Sequence, residues 1–325
     1  MKSVFLDFST LGPDDLDVTE LLNELPEIVL HDYTSPDNIR VRIADAEVVL
    51  VNKISLDEQA LAAAKNLRIV CLAATGSDNI DLDAAAKHEI AVCNIRDYCT
   101  PSVVQHVFAM LLSLNQRLQN YQTQVAAGLW ETSRNFCLLE PPIRELHGKT
   151  LGLIGLGTLG GGVAGVARAF GMRVIAARLP WRTMAPAGDD GQSAPRIALD
   201  KLLTQSDFVS LHCPLNEDTE NIIDAHALSQ MKPRAILINT ARGGLVDSSA
   251  LIDALRAGTI AGAGIDVLEQ EPPTADDPLI NANLPNLIVT PHMAWSGIEA
   301  RQRALNEMLE NLRAFKRGEQ RNRLV

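Results

Sequence analysis

Lys149 to Gly165 reads KTLGLIGLGTLGGGVAG: an apolar run, then glycines, then the start of a helical pattern. A run that ends in Gly155, Gly157 and Gly160, spaced G-x-G-x-x-G, predicts a strand, a tight turn and a helix. Each glycine has a separate task in that setting. Gly155 lets the chain turn, Gly157 leaves bare backbone for a pyrophosphate to approach, and Gly160 lets the helix lie close to the strand. The helix N-terminus presents free N–H groups and the positive end of its dipole to the phosphates. The stretch therefore predicts dinucleotide binding in a doubly wound α/β domain.

Toward the C-terminus the same rhythm continues. MRVIAA (172–177), DFVSLHCP (207–214), Ala235 to Asn239, GAGIDV (262–267) and LIVTPH (287–292) read as strands. Helices are expected over Leu159–Phe170, Asp200–Gln205 and Ser248–Ala257, with a long final helix over Ser296–Phe315. Toward the N-terminus a second alternating series appears. SVFLDF (3–8), VVLVN (48–52), RIVCLA (68–73) and IAVCN (90–94) read as strands; Asp14–Leu25, Leu56–Asn66 and Asp81–His88 read as helices. Nearly all-apolar, β-branched runs fit strands covered on both faces, and strand–helix alternation implies parallel sheets with right-handed crossovers. Between the two series, Tyr98–Ser102 breaks the pattern. Pro101 disfavours helix before it, Ser102 is a suitable N-cap, and Val103–Asn120 reads as one long bridging helix. Residues 121–148 are less regular.

Length and composition agree with two domains. The chain has 325 residues, 46% hydrophobic and 21% charged, an ordinary balance for a globular protein. No apolar run approaches the ~20 residues needed to span a bilayer. The N-terminus turns acidic at once and lacks a signal-peptide layout, so a cytoplasmic chain without membrane attachment is expected. A net charge of −11, with no long basic block, argues against nucleic-acid binding. The five cysteines form no C-x-x-C pair, so neither a metal site nor a disulfide framework is expected.

Seven stretches together carry a resemblance: AATGSDNIDLDAAAKHEIAVCN (73–94), SVVQHVFAMLL (102–112), GKTLGLIGLGTLG (148–160), LHCPLNEDT (211–219), INTARGGLVD (238–247), GIDVLEQEPP (264–273) and TPHMAW (290–295). In this order the chain resembles the D-isomer-specific 2-hydroxyacid dehydrogenases over essentially its whole length, most closely the glycerate dehydrogenase and hydroxypyruvate/glyoxylate reductase branch. The resemblance implies a Rossmann cofactor domain, residues 100–292, inserted into a flavodoxin-like substrate domain, residues 1–99 plus 293–325. It implies reduction of a small 2-keto acid with NADH or NADPH, and a homodimer. A D-lactate- or 3-phosphoglycerate-type dehydrogenase is the alternative within the enzymes. A dinucleotide-sensing, corepressor-like interaction protein of the same fold is the alternative outside them.

Hydride transfer to a 2-keto acid requires a group that holds the carboxylate, one that polarises the carbonyl, and one that delivers a proton. Arg242 follows a predicted strand in NTARGG, at the edge where open α/β sheets bind ligands, and a guanidinium can fork onto both oxygens. His292 ends the last strand, and an imidazole near its ordinary pKa of ~6.5 exchanges protons near neutrality. The resemblance implies that Arg242 binds and polarises substrate, that His292 is the general acid in reduction, and that Glu271 of the Q-E-P-P run pairs with it. A carboxylate beside the ring favours the imidazolium and fixes its orientation. The resemblance also implies cofactor contacts from Thr158, Leu159, Cys213, Pro214, Thr219, Thr240 and Ala241, and from Asp266 near the nicotinamide, with strand-end capping the competing role for Asp266. On the substrate side it implies Ala74, Thr75 and Gly76, with Lys53 and Trp295 as further candidates. His106 and His212 are read as lesser candidates.

One departure concerns the cofactor. NAD-specific units place an acid at the end of the second strand, ~20 residues after the loop begins. Here that place is Ile175-Ala176-Ala177-Arg178-Leu179. The repelling carboxylate is absent, Arg178 stands in its place and Arg182 follows, so a 2′-phosphate can be accepted. Gln105 also stands where the family often has glutamate.

Overall fold

The computed structural model describes residues 1–179 and 194–325. The chain divides into two units, Met1–Cys99 with Trp295–Val325, and Thr100–Ala294.

The first unit is built on five parallel strands: β1 (Ser3–Phe5), β2 (Ile28–Leu30), β3 (Val48–Val51), β4 (Ile69–Leu72) and β5 (Ala91–Cys93). Their order is β2-β1-β3-β4-β5, which is the flavodoxin-like arrangement. Every residue of β3 and β4 is buried, as their uninterrupted apolar sequences require. Helices α1 (Thr19–Glu24), α2 (Pro36–Ile43), α3 (Glu58–Ala63) and α4 (Leu82–Lys87) connect the strands. The last helix of the chain, Ile298–Lys316, returns to this unit and packs Ala304, Leu305, Met308, Leu309 and Leu312 against one face of the sheet.

Two local expectations change here. Asp14–Leu25 does not form one helix: Pro13–Asp15 is a 3-10 turn, and α1 starts only at Thr19, whose N–H donates to Asp17 Oδ1 at 2.9 Å. The side chain of Asp17 takes the orphan donor of a helix start, so the helix begins there. In addition β2 and α2 form from residues without a readable pattern; β2 is a short, half-exposed edge strand.

The second unit is a seven-stranded parallel sheet: β6 (Thr150–Ile154), β7 (Arg173–Ala177), β8 (Arg196–Ile197), β9 (Phe208–Leu211), β10 (Ile236–Asn239), β11 (Gly262–Ile265) and β12 (Leu287–Val289). The order β12-β11-β10-β9-β6-β7-β8 is the Rossmann order with one strand added at an edge. The strand order reverses between β6 and β9. The helices are α5 (Thr100–Asn115), α6 (Leu118–Ala126), α7 (Thr158–Ala169), α8 (Leu199–Gln205), α9 (Ala225–Gln230) and α10 (Ser248–Ala257), and the C-terminal helix of the first unit is α11. Helix α5 packs on α7, where Phe108 stacks on Phe170 with ring centroids 5.5 Å apart.

The bridging helix starts earlier and stops sooner than Val103–Asn120. It opens at Thr100 with Pro101 in its first turn, where a missing N–H costs nothing. Ser102 is inside the helix and spends its hydroxyl on Ala294 O, 2.8 Å away. The helix ends at Asn115, and Arg117, with φ of +54°, separates it from α6.

Candidate active site

The glycine loop occupies the point where the strand order of the second unit reverses, the place where doubly wound sheets bind ligands. Gly155, directly after β6, has φ of +106°, and a Cβ there would lie 2.4 Å from the backbone of His212. A Cβ on Gly160 would lie 2.2 Å from Gly155 O, whereas one on Gly157 would meet nothing within 4 Å. The first and third glycines thus allow contacts within the protein, and the second leaves open space at the N-terminus of α7. Thr158 is exposed and Leu159 half-buried beside it. This cradle fits a pyrophosphate: backbone exposed at Gly157, no described atom within 4 Å of a Cβ placed there, and a helix N-terminus beneath.

The floor of the loop is the end of β9. His212 Nε2 lies 2.8 Å from Ser210 Oγ, and Nδ1 is buried with no hydrogen-bond partner among the described residues. Burial drives the His212 pKa down to about 4, so the ring is neutral at neutrality. Cys213 is buried, and its thiol is pushed up to about 11 by that burial, which leaves it a small hydrophobe. Pro214 is exposed. Thr219 is fully buried, and its hydroxyl donates to Pro214 O at 2.8 Å while accepting from Asn216 N at 2.8 Å. Its work is to hold the turn that follows the strand.

Arg178 follows β7 directly and is exposed; its N–H donates to Ile197 O at 2.7 Å. Arg182 lies outside the described residues. An unforeseen basic group stands nearby: Arg196, on β8 and paired with Ala176 of β7, reaches Leu156 O of the glycine loop with Nη2 at 3.5 Å. Its sequence position after a proline-containing loop gave no sign of this approach.

Three strand ends carry the remaining groups. After β10, Asn239 shapes the turn, its Oδ1 accepting from Ala241 N at 3.0 Å and its Nδ2 donating to Arg242 O at 2.8 Å. Thr240 Oγ1 is buried without a hydrogen-bond partner among the described residues. The half-buried Arg242 donates from Nη1 to Ala241 O at 2.7 Å. A Cβ on Gly243 would lie 2.0 Å from Leu268 C, so only glycine lets this turn lie against the Leu268–Glu271 segment. That segment is in turn closed by Glu271, whose Oε1 accepts from Leu268 N at 2.8 Å. Its other oxygen, Oε2, lies 2.5 Å from His292 Nδ1. The ring and the carboxylate are each about one-third exposed, so the pair is held yet accessible.

His292 itself has φ of +51°, an unusual conformation for a residue with a Cβ. Asp266 explains how it is held. Its carboxylate has no exposed surface. It accepts from Met293 N and Ala294 N at 2.9 Å each and from Thr290 Oγ1 at 2.5 Å, with His106 Nε2 3.4 Å away. Burial alone would raise this carboxyl, but His106, Thr290 and the two N–H groups outweigh burial and hold it below the ordinary carboxylate range. Asp266 therefore braces the turn carrying His292, the strand-end role set beside the nicotinamide one. His106 also gains a definite place, with Nε2 3.0 Å from Thr290 Oγ1.

In the first unit, taken by itself, Ala74–Gly76 follows β4 at the C-terminal edge of the sheet. Ala74 O accepts from Ile95 N at 3.1 Å, Thr75 Oγ1 donates to Ile95 O at 2.9 Å, and Thr75 O accepts from Asn94 Nδ2 at 2.8 Å. The loop is tied to the segment after β5. Lys53, after β3, is exposed. Beneath it lies a residue that sequence patterns do not reveal. The buried Asp7 carboxylate accepts from Asn52 N at 2.9 Å, Lys53 N at 2.6 Å and Ile54 N at 3.2 Å, while burial raises its pKa. Trp295 is half-buried and meets Tyr98 edge-on, with ring centroids 6.4 Å apart.

With this geometry established, similarity to known proteins has a concrete meaning. Residues 108–294 match the family described as D-isomer specific 2-hydroxyacid dehydrogenase, NAD binding domain. A glycerate dehydrogenase of Methylorubrum extorquens is 42% identical over 322 residues, covering 99% of this chain and 98% of that protein. A hydroxypyruvate reductase of Blautia hydrogenotrophica is 36% identical over 321 residues, covering 98% of each. Among solved structures, an acyclic imino acid reductase in complex with NADPH and D-Arg superimposes with a TM-score of 0.86 at 30% identity, covering 100% of both chains. The chain belongs to the D-isomer-specific 2-hydroxyacid dehydrogenase family: it is an oxidoreductase acting on CH–OH donors with a nicotinamide dinucleotide.

Proposed function

We propose that the protein reduces hydroxypyruvate or glyoxylate, forming D-glycerate or glycolate in the cytoplasm, and that His292, Glu271 and Arg242 carry the reaction. The observation that carries this reading is the 2.5 Å contact between His292 Nδ1 and Glu271 Oε2 in the unit that holds the glycine loop. A nicotinamide dinucleotide held at the Gly155–Gly160 loop would supply the hydride. Arg242 pairs with the carboxylate and polarises the carbonyl, as a guanidinium fork does for two neighbouring oxygens. Glu271 takes the Nδ1–H and so fixes the tautomer and plane of the ring. Proton delivery to the forming alkoxide then falls to Nε2, a step of general acid catalysis worth ~10²–10⁴ in rate. In oxidation the same nitrogen accepts the proton. Asp266 positions the turn and does not touch the substrate. In the first unit, Ala74–Gly76, Lys53 and Trp295 are assigned to substrate recognition, with Thr75 and Gly76 N–H groups as carboxylate donors.

The reading extends to NADPH as an accepted cofactor. Arg178 and Arg196 stand at the ends of neighbouring strands, and no acid lies among residues 175–179. It extends also to a homodimer formed through the second unit. Val125, Leu129, Trp130, Phe136, Leu139 and Ile143 are all exposed, Phe136 to 91%, and clustered apolar exposure of this kind marks an interface.

The test is a panel of 2-keto acids with NADH and with NADPH, followed by loss of reduced cofactor absorbance. Hydroxypyruvate and glyoxylate are expected to give the highest kcat/KM. Absence of turnover with every 2-keto acid would overturn the reading, and a clear preference for pyruvate would redirect it to a D-lactate-type enzyme.

A further inference from the structure

The edge of the second unit opposite the glycine loop carries a feature that the proposed reaction does not use. A cavity of about 650 Å³ opens at the N-terminal ends of β10, β11 and β12, and Arg117, Arg144, Arg234 and Arg256 line it together with Ile260 and Leu284. The arginines come from four separate places. Arg117 separates α5 from α6, Arg144 lies in the loop before β6, Arg234 precedes β10, and Arg256 is in the last turn of α10. Among the described residues none of the four guanidinium groups has a carboxylate partner. The whole chain, meanwhile, carries a net charge of −11.

Four like charges around one concavity repel each other, and no acid among the described residues pairs with them. The backbone is defined at two of the four positions. Arg117 is kept at φ of +54°, a conformation that costs a residue with a Cβ about 1 kcal/mol. Asn115 Nδ2 donates to Arg144 O at 2.6 Å, tying the loop of Arg144 to the end of α5. The negative end of α10 also faces this edge, but its carbonyls already have donors. Gly258 N bonds to Ala254 O and Leu255 O, Thr259 N to Ala254 O at 2.8 Å, and Asn286 Nδ2 to Leu255 O at 3.3 Å.

We propose that this cavity binds a small molecule bearing at least two negative charges, a phosphate ester or a polycarboxylate, with its uncharged part against Leu284 and Pro285. A guanidinium pairs with carboxylate or phosphate through two parallel hydrogen bonds, and several converging forks select for multiple charges over one. A 2-keto acid with a single carboxylate is a poor match. A nucleic acid is a worse one: the site is concave, and the net charge of the chain repels an extended phosphate backbone. The site lies on the opposite strand edge from Arg242 and the glycine loop, so its occupant is distinct from substrate and cofactor.

The experiment is calorimetric titration of the full-length protein with citrate and with inorganic pyrophosphate at low salt, with and without saturating NADPH. Wild type should bind at least one probe at one site per chain, also in the presence of NADPH, and more weakly as salt rises. Arg234 and Arg256 are exposed, so the double variant Arg234→Gln/Arg256→Gln should fold; its affinity should fall at least tenfold, since each charged hydrogen bond is worth about one tenfold step or more. Arg178→Gln should leave probe binding unchanged. Absence of saturable binding, displacement of the probe by NADPH, or unaltered affinity in the double variant would overturn the proposal. Sedimentation velocity accompanies the titration. If the double variant changes oligomeric state while wild type binds neither probe, the arginines serve contact between copies and the proposal fails.

Discussion

Asp266 offers the sharpest test of how the second unit holds the turn that carries His292. Replacing it with Ala leaves Met293 N, Ala294 N and Thr290 Oγ1 without their acceptor in a place where the carboxylate had no exposed surface. An abandoned buried donor costs ~1–3 kcal/mol. Two N–H groups and a hydroxyl, with some relaxation, give about 4 kcal/mol. For a unit of this size that corresponds to a melting point lower by on the order of 10 °C. Asn keeps the shape and one acceptor oxygen but loses the charge, so about half the loss is expected. Activity should follow the turn. His292 sits at φ of +51°, and freeing its two following N–H groups lets it relax toward ordinary backbone. A displacement near 1 Å costs about 10²-fold in rate. Urea unfolding of the second unit and steady-state keto-acid reduction should thus fall together, in the order wild type, Asn, Ala, with NADPH affinity nearly constant. An Ala variant within 1 kcal/mol of wild type and with wild-type kcat would refute the bracing role. An Ala variant of full stability that loses cofactor affinity would return Asp266 to the nicotinamide.

Other outcomes follow from the same geometry. His292→Ala should lower kcat by ~10²–10⁴ while leaving NADPH binding intact; full turnover would remove it from the chemistry. Glu271→Gln retains a hydrogen-bonding group but removes a negative charge 2.5 Å from Nδ1, so the high-pH limb of the reduction profile should move to lower pH, and a superimposable profile would count against the pair. Arg178→Ala should reduce the preference for NADPH over NADH about tenfold; strong NADH preference, unchanged by the substitution, would leave the 2′-phosphate reading without support. His212 predicts a stability change with pH. Its pKa is depressed from the ordinary 6.5 to about 4 in the folded protein, so the unfolded chain binds the proton more readily. The contribution is complete above 6.5 and is lost progressively as pH falls through about 4. At pH 5 the loss is about 2 kcal/mol. Urea midpoints of His212→Asn should decline less between pH 7 and pH 5 than those of wild type; parallel curves would show that the ring is not buried neutral.

Much of this architecture is legible in the sequence because parallel strands covered on both faces have no solvent side. Runs such as VVLV at Val48–Val51 and IVCL at Ile69–Leu72 must be apolar at every position, and every residue of both is buried. The glycine loop is equally legible, since only glycine serves where a Cβ would meet backbone at 2.2–2.4 Å. Residues whose function depends on partners distant in sequence are not. Asp7 receives N–H groups from residues 52 to 54, and no spacing rule connects a carboxylate to amides that far away. Arg196 is brought to Leu156 by strand pairing, Thr219 turns inward for its own turn, and Ser102 spends its hydroxyl on Ala294. In each case the side chain could have served two masters, and tertiary packing decided between them. The edge strand β2 and helix α2 were missed for the opposite reason: half-exposed and short, they show little periodicity to read.

The glycine loop divides the nucleotide cradle into a part closed to change and a part open to it. A Cβ on Gly155 or Gly160 would meet backbone, which cannot step aside as a side-chain tip can, so neither position accepts a side chain. Arg178, by contrast, is exposed directly after β7, and Arg196 meets the loop by its side chain alone. If Arg178 and Arg196 read the 2′-phosphate as proposed, one dinucleotide can be traded for the other there without change at Arg242, Glu271 or His292. On the proposed reading, the residues that choose the cofactor are therefore separate from those that meet the substrate.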